Sequence, residues 1–205
     1  MNKDPSHDPI SCRYCDLPNQ TKQVVVSRGS PSAHLMIIGE APGAQENTLG
    51  KPFVGRAGNV LEHLLDIAGI NSCRDVYICN VLKCRPPNNR RPTKAEICQS
   101  MPWLECQINL VDPHVIILTG ATAVEALLRT KQAISFLRGK WQNRKGRLVM
   151  PVFHPAYLLR NPSRDEGSPF KLTVNDLLSV KDRVLAIQRA SSNRLVERIS
   201  CKQKK

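Results

Sequence analysis

Aromatic residues are scarce in this chain. Two tryptophans, three tyrosines and four phenylalanines make up 4% of its 205 residues. That is too few for the row of stacked rings that general single-strand binders lay along a nucleic acid. No apolar run is long enough to span a bilayer, which takes about 20 residues. The opening residues, MNKDPSHDPI, lack the apolar core of a secretory signal. A soluble cytoplasmic protein with no membrane partner is therefore the expectation. Acidic residues are also in short supply: 17 against 30 Lys and Arg leave a formal charge of +13 and a pI near 9.7. Basic side chains spread over many segments match a phosphate backbone, so a polyanionic partner is expected. There is no internal repeat. The length suits one domain with a proper core.

Cysteine, by contrast, is plentiful: Cys12, Cys15, Cys73, Cys79, Cys84, Cys98, Cys106 and Cys201. In a chain of cytosolic character, eight cysteines point to metal ligation or buried thiols rather than disulfides. Cys12 and Cys15 form a tight pair that suits zinc, an iron–sulfur cluster or redox chemistry.

The chemical centre is the stretch from Met36 to Gly58, MIIGEAPGAQENTLGKPFVGRAG. An apolar strand ends at Gly39, a polar loop carries Glu40, Ala41, Gly43, Glu46 and Phe53, and a helix follows from Arg56 to Gly69. Three further strands are expected at DVYICN (75–80), HVIILT (114–119) and LVMPVF (148–153), with a short β-type run at Gln23–Ser27. Helices are expected from Thr93, with a kink or break at Pro102, over Ala121–Arg129, and from Phe170 to about Ala190. Strands alternating with helices imply an α/β fold: a three-layer α/β/α sandwich around a central, mainly parallel four-stranded sheet. Residues 1–11 are expected to be disordered, 12–190 to form the domain, and 191–205 to be a loose basic tail. Glu40, Asn80 and His154 each follow a strand. If those strands run parallel, an acid, an amide and an imidazole converge at one sheet edge, which makes a credible site.

With these residues in view, the chain resembles the iron–sulfur (type 4) uracil-DNA glycosylases. The matching segments are Cys12-x-x-Cys15, GEAPGAQE with GKPFVGRAG, NVLKCRPPNNRRP, and HPAYLLRNP, in that order. The resemblance implies a base-excision repair enzyme that flips uracil out of DNA and hydrolyses its N-glycosidic bond. It implies a flipped-base pocket formed by Ala41, Gly43, Phe53 and Asn80. Phe53 would stack on uracil, and Asn80 would read O4 and N3–H together, because an amide offers both a donor and an acceptor. His154 is the candidate donor to uracil O2. Glu40 and Glu46 are both candidates to orient water or to stabilise a cationic sugar, and their division of labour is open. Other uracil-DNA glycosylases place a water-activating aspartate where Ala41 stands, so leaving-group stabilisation is expected to outweigh general-base catalysis. Tyr157, Leu158, Leu159 and Arg160 would supply a wedge into the duplex. Lys51, Arg56, Lys83, Arg85, Arg90, Arg91 and Arg164 are candidate phosphate contacts.

The family holds a structural [4Fe–4S] cluster on four cysteines, and Cys12, Cys15 and Cys84 match three of them. Ser100 occupies the fourth position. Cys98 lies two residues away, about 200° around a regular helix, and Cys106 is a further candidate. Three outcomes are open: a shifted helix that brings Cys98 to the cluster, completion by Ser100 or an outside ligand, or a labile or missing cluster. A nearby thiol is the better iron ligand, which favours Cys98; zinc on the same cysteines is the alternative metal. The expected partner is uracil-containing DNA, bound by a monomer, with a sliding clamp as a further candidate. Competing readings are a non-catalytic, uracil- or structure-sensing DNA-binding relative and a glycosylase that traps DNA covalently through a histidine in an extra basic loop. Gly58 runs straight into helix residues, with no such insert.

Overall fold

A computed structural model describes residues 23–202; the expected disordered start, Cys12 and Cys15 lie outside that range. Four apolar segments form the centre of the sheet: β2 (Leu35–Gly39), β3 (Val76–Asn80), β4 (Val115–Thr119) and β6 (Arg147–Val152). Every residue of β2, β3 and β4 is buried. Strands covered on both faces favour parallel pairing, and the order β3-β2-β4-β6 is parallel throughout.

The sheet has six strands rather than four. Two short antiparallel edges complete it: β1 (Arg28–Gly29) beside β3 and β5 (Gln142–Arg144) beside β6. The β-type run at 23–27 is not the edge strand; the pairing begins one residue later. Val25 instead donates its N–H to the Lys83 carbonyl at 2.8 Å.

Alternation along the strands divides the core in two. Leu35, Ile37, Ile78 and Ile117 face α2 (Arg56–Ile67), α6 (Pro155–Arg160) and α7 (Pro169–Lys202). Met36, Ile38, Cys79 and Leu118 face α3 (Lys94–Val111) and α4 (Ala121–Leu128). These are the expected three layers. Two short helices, α1 (Ala44–Leu49) and α5 (Ile134–Leu137), occupy connections.

Helix boundaries depart from expectation in two places. Thr93 caps α3 with the anticipated box, its Oγ1 accepting from Glu96 N–H at 3.2 Å. The helix then continues through Pro102 without a break. Pro102 lies on the exposed side, where water can serve the Cys98 carbonyl that has lost its helical donor. Helix α7 runs on to Lys202 instead of ending near residue 190. No glycine or proline interrupts it after Pro169, so the polar composition taken as a loose tail carries no stop signal.

Candidate active site

From β2 the chain passes to β3 on one side and then to β4 on the other. The carboxyl ends of β2 and β4 therefore flank a topological switch point, where open α/β sheets form their ligand crevice. A cavity of about 260 Å³ lies at this edge of the sheet, lined by residues that include Glu40, Ala41, Pro42, Gly43, Glu46, Phe53, Asn80 and His154. Ligand pockets commonly measure roughly 300–1,000 Å³, so this one suits a single base rather than a dinucleotide.

Three glycines let the walls approach one another. A Cβ on Gly39 would lie 2.4 Å from both Asn80 Oδ1 and Phe53 Cζ. A Cβ on Gly58 would meet the Phe53 carbonyl oxygen at 2.0 Å. Gly120, at φ 89°, lies against His154, whose Cβ would be 2.9 Å from an added methyl. The glycines of the opening loop thus make room for Phe53 and Asn80, not for a phosphate.

His154 ends the connection after β6 and caps α6. Its Nδ1 accepts from Ala156 N–H at 3.1 Å, which places the neutral ring's proton on Nε2. Burial lowers the His154 pKa below its ordinary value; the Glu40 carboxylate opposes this, and Arg160 adds to it. The ring is held as a neutral donor. Its centroid lies 6.1 Å from that of Phe53, and the two planes are tilted by 33°.

The two glutamates are held differently. Glu46 accepts from the N–H groups of Gly43, Val54 and Gly55 at 3.1, 3.0 and 2.8 Å. Its carboxylate therefore ties the start of α1 to the segment after Phe53. Glu40 accepts from the Thr122 hydroxyl at the start of α4 and is the acid whose charge reaches His154. Sequence reasoning did not single out Thr122, because nothing in its segment marks it apart from an ordinary helix start.

The KCRPPNNRRP loop forms another wall through Pro86, Asn89 and Arg90. Arg90 forks onto Glu96 at 2.9 and 2.6 Å, and these bonds lower the Glu96 carboxyl to a pKa of about 2. The fork braces the loop against the first turn of α3.

This pattern has a family counterpart. The model of the uracil DNA glycosylase superfamily matches residues 26–178. The chain belongs to that superfamily. It is 44% identical over 158 residues to a type-4 uracil-DNA glycosylase of Thermotoga maritima, covering 75% of this chain and 81% of that protein. It is 42% identical over 160 residues to the type-4 enzyme of Saccharolobus solfataricus, covering 74% of each. Identity to a type-5 uracil-DNA glycosylase of Pyrobaculum aerophilum is 31% over 174 residues, 77% of this chain and 74% of that one. The higher identities are to the type-4 branch, as the sequence motifs imply.

Of the residues singled out from this superfamily's motifs, Glu40, Ala41, Gly43, Glu46, Phe53, Asn80 and His154 come together in the cavity. The four residues of the expected wedge are not placed alike. Leu158 is 3% exposed and packs in the core beneath the sheet. Withdrawing it would cost roughly 1.5–3 kcal/mol in lost burial. Tyr157 and Leu159, which flank it on the same short helix, are exposed, and Arg160 is exposed at its end. Arg56 is exposed next to Ala57 of the cavity wall. Lys83 is also corrected: it is buried, and its Nζ donates to the Asn80 carbonyl at 2.6 Å. It braces the strand end instead of meeting a phosphate. Arg164 lies 3.4 Å over the Phe170 ring.

Cys84 is buried, whereas Cys98 and Cys106 are exposed. Among the described residues no three metal-ligating side chains gather. Helix α3 stays regular, so Ser100 lies on its buried face and Cys98 lines a groove between α3 and α4. Ser100 shares its stripe with Gln107, which donates to the Val26 carbonyl at 3.3 Å. Val25, in turn, bonds Lys83, the neighbour of Cys84. The Ser100 face therefore looks toward the Val25–Val26 segment, and Cys98 faces the groove beside α4. No helix among the described residues is long and apolar enough to cross a membrane.

Proposed function

We propose that the chain is a uracil-DNA glycosylase acting in base excision repair, with residues 12–190 as its catalytic domain. The observation that carries this reading is the convergence of Phe53, Asn80 and His154, whose Nδ1 is taken up by Ala156 N–H, on one base-sized cavity. A uracil flipped from the duplex would stack on Phe53 and present O4 and N3–H to Asn80. Cytosine reverses that donor–acceptor pattern and would be refused. As the C1′–N1 bond breaks, its electrons pass to the uracil ring, and the charge at O2 meets the His154 donor. Glu40, held by Thr122, faces the cationic sugar; water adds to C1′ and its proton goes to the uracil anion, leaving an abasic site and free uracil. Glu46 shapes the pocket through the backbone. Arg56 and Arg160 would contact phosphates, and Leu159 with Tyr157 would fill the space vacated by the base.

Incubation of the full chain with a single-uracil duplex, followed by alkaline cleavage, is expected to give one strand break at the uracil. An intact strand at equimolar protein would remove the glycosylase reading.

We further propose that Cys12, Cys15 and Cys84 hold a [4Fe–4S] cluster that ties the N-terminal segment to the pocket loop, with zinc the lesser alternative. Such a cluster would supply structural linkage and no step of the chemistry. The burial of Cys84 and the facing of Ser100 favour Ser100 over Cys98 at the fourth position. Ser100→Cys is expected to raise retained iron per chain and slow bleaching of the cluster absorption, since thiolate is the better iron ligand. Cys98→Ser is expected to leave iron content unchanged. Iron loss on Cys98→Ser, with none gained by Ser100→Cys, would return the assignment to Cys98.

A further inference from the structure

We propose that Arg28 is a positioning residue for uracil recognition, holding the Phe53 ring from behind the pocket. The inference rests on Phe53 being the stacking face. Phe53 adopts φ 53°, a left-handed conformation that bulky residues rarely take. Something must hold it there, because relaxation of that backbone would swing the ring off the pocket. Arg28, on edge strand β1, reaches across with three contacts. Its Nε donates to the Pro52 carbonyl at 2.8 Å and one terminal nitrogen to the Phe53 carbonyl at 3.4 Å. The same nitrogen pairs with Glu62 of α2. The guanidinium is part-buried and rigidly forked, so it fixes two successive carbonyls and an α2 carboxylate at once. A Phe53 clamped this way has its ring placed before uracil arrives, and pre-organisation of this kind appears directly as affinity.

A bond to the loop and a bond to α2 are separable by mutation. Arg28→Met removes both. Glu62→Leu removes only the ion pair and leaves the guanidinium on the two carbonyls. Free uracil inhibition reports on the pocket without DNA contacts. Arg28→Met is expected to weaken that inhibition about tenfold and to lower kcat/KM by a similar factor, the usual worth of charged hydrogen bonds to a buried loop. Glu62→Leu is expected to stay within about twofold of the parent, as partly exposed ion pairs contribute little. In a Phe53→Ala background, Arg28→Met should add no further loss. Equal losses in Arg28→Met and Glu62→Leu would overturn the proposal, as would additive losses with Phe53→Ala. Should Arg28→Met fail to fold, Arg28→Lys decides: lysine keeps the charge but lacks the guanidinium's rigid fork, and unchanged uracil inhibition would refute the clamp. Undiminished inhibition in Phe53→Ala alone would instead remove Phe53 as the stacking face, a separate failure.

Discussion

Replacing Asn80 by aspartate is expected to lower kcat/KM on a single-uracil duplex by on the order of 10,000-fold, the discrimination typical of a site built to hydrogen-bond its ligand. The exchange is nearly isosteric, so packing is preserved. What changes is the pattern of donors: the amide that would give a hydrogen bond to uracil O4 becomes an oxygen that repels it. Asn80 is 2% exposed, so little water is available to soften that repulsion. Gly39 brings the β2 backbone close against Asn80 Oδ1, which leaves the side chain little freedom to turn aside. Lys83 braces the same residue through its carbonyl and not its side chain, so the fold is expected to survive. Single-turnover rates with matched melting curves would check this. A folded Asn80→Asp enzyme of parental rate on uracil would remove Asn80 from the site.

Replacing His154 by alanine is expected to cost about 100- to 1,000-fold in kcat, the usual consequence of deleting one donor to a developing oxyanion. His154 is also the N-cap of α6, and losing a cap destabilises by only about 1 kcal/mol. His154→Asn separates the two roles: it keeps a capping acceptor but withdraws the donor from the pocket. Both variants should therefore be slow, while only the alanine variant loses the cap. The pH dependence follows from the same geometry. The His154 pKa lies below its ordinary value of 6.5 because of burial, with Glu40 opposing and Arg160 contributing. Activity that depends on the neutral ring should hold as pH falls through 6.5 and decline only further into the acid range. The folded chain resists a proton that the unfolded chain accepts. The stability contribution is thus present above the unfolded value and is lost as pH falls through the folded one. A His154→Asn enzyme retaining parental kcat would shift leaving-group stabilisation to another donor.

The central strands were legible because residues buried on both faces of a parallel sheet must be continuously apolar, as LMIIG and VIILT are. Their ends were legible for the complementary reason: Glu40, Asn80 and His154 break the apolar runs where the chain leaves the sheet. The edge strands were not, since Arg28–Gly29 and Gln142–Arg144 are short and polar and exist only because a neighbour offers free hydrogen-bonding groups. Leu158 and Leu159 are chemically alike and adjacent. Only the packing of α6 against α2 assigns one to the core and the other to the surface. Lys83 read as a candidate phosphate contact because a lysine in a basic loop is ordinarily exposed, and its burial depends on contacts distant in sequence.

The stretch from Met36 to Gly58 shows the division most clearly. By itself the sequence determined that an apolar strand ends there in a glycine-rich polar loop, and its motifs determined the superfamily. These are local properties, carried by periodicity and by residue types at set spacings. How the loop's residues are held was decided only by the tertiary structure. Glu46 could have been an unanchored side chain, but three backbone N–H groups converge on its carboxylate. Gly39 and Gly58 could have cradled a phosphate, but Asn80 and Phe53 occupy the space beside them. Phe53 could have been held by its own loop alone, but Arg28 bonds its carbonyl and the His154 ring lies 6.1 Å from its own, both from elements distant in sequence. The physical reason is that hydrogen bonds and close contacts form between residues brought together by the sheet, and sequence separation carries no trace of them.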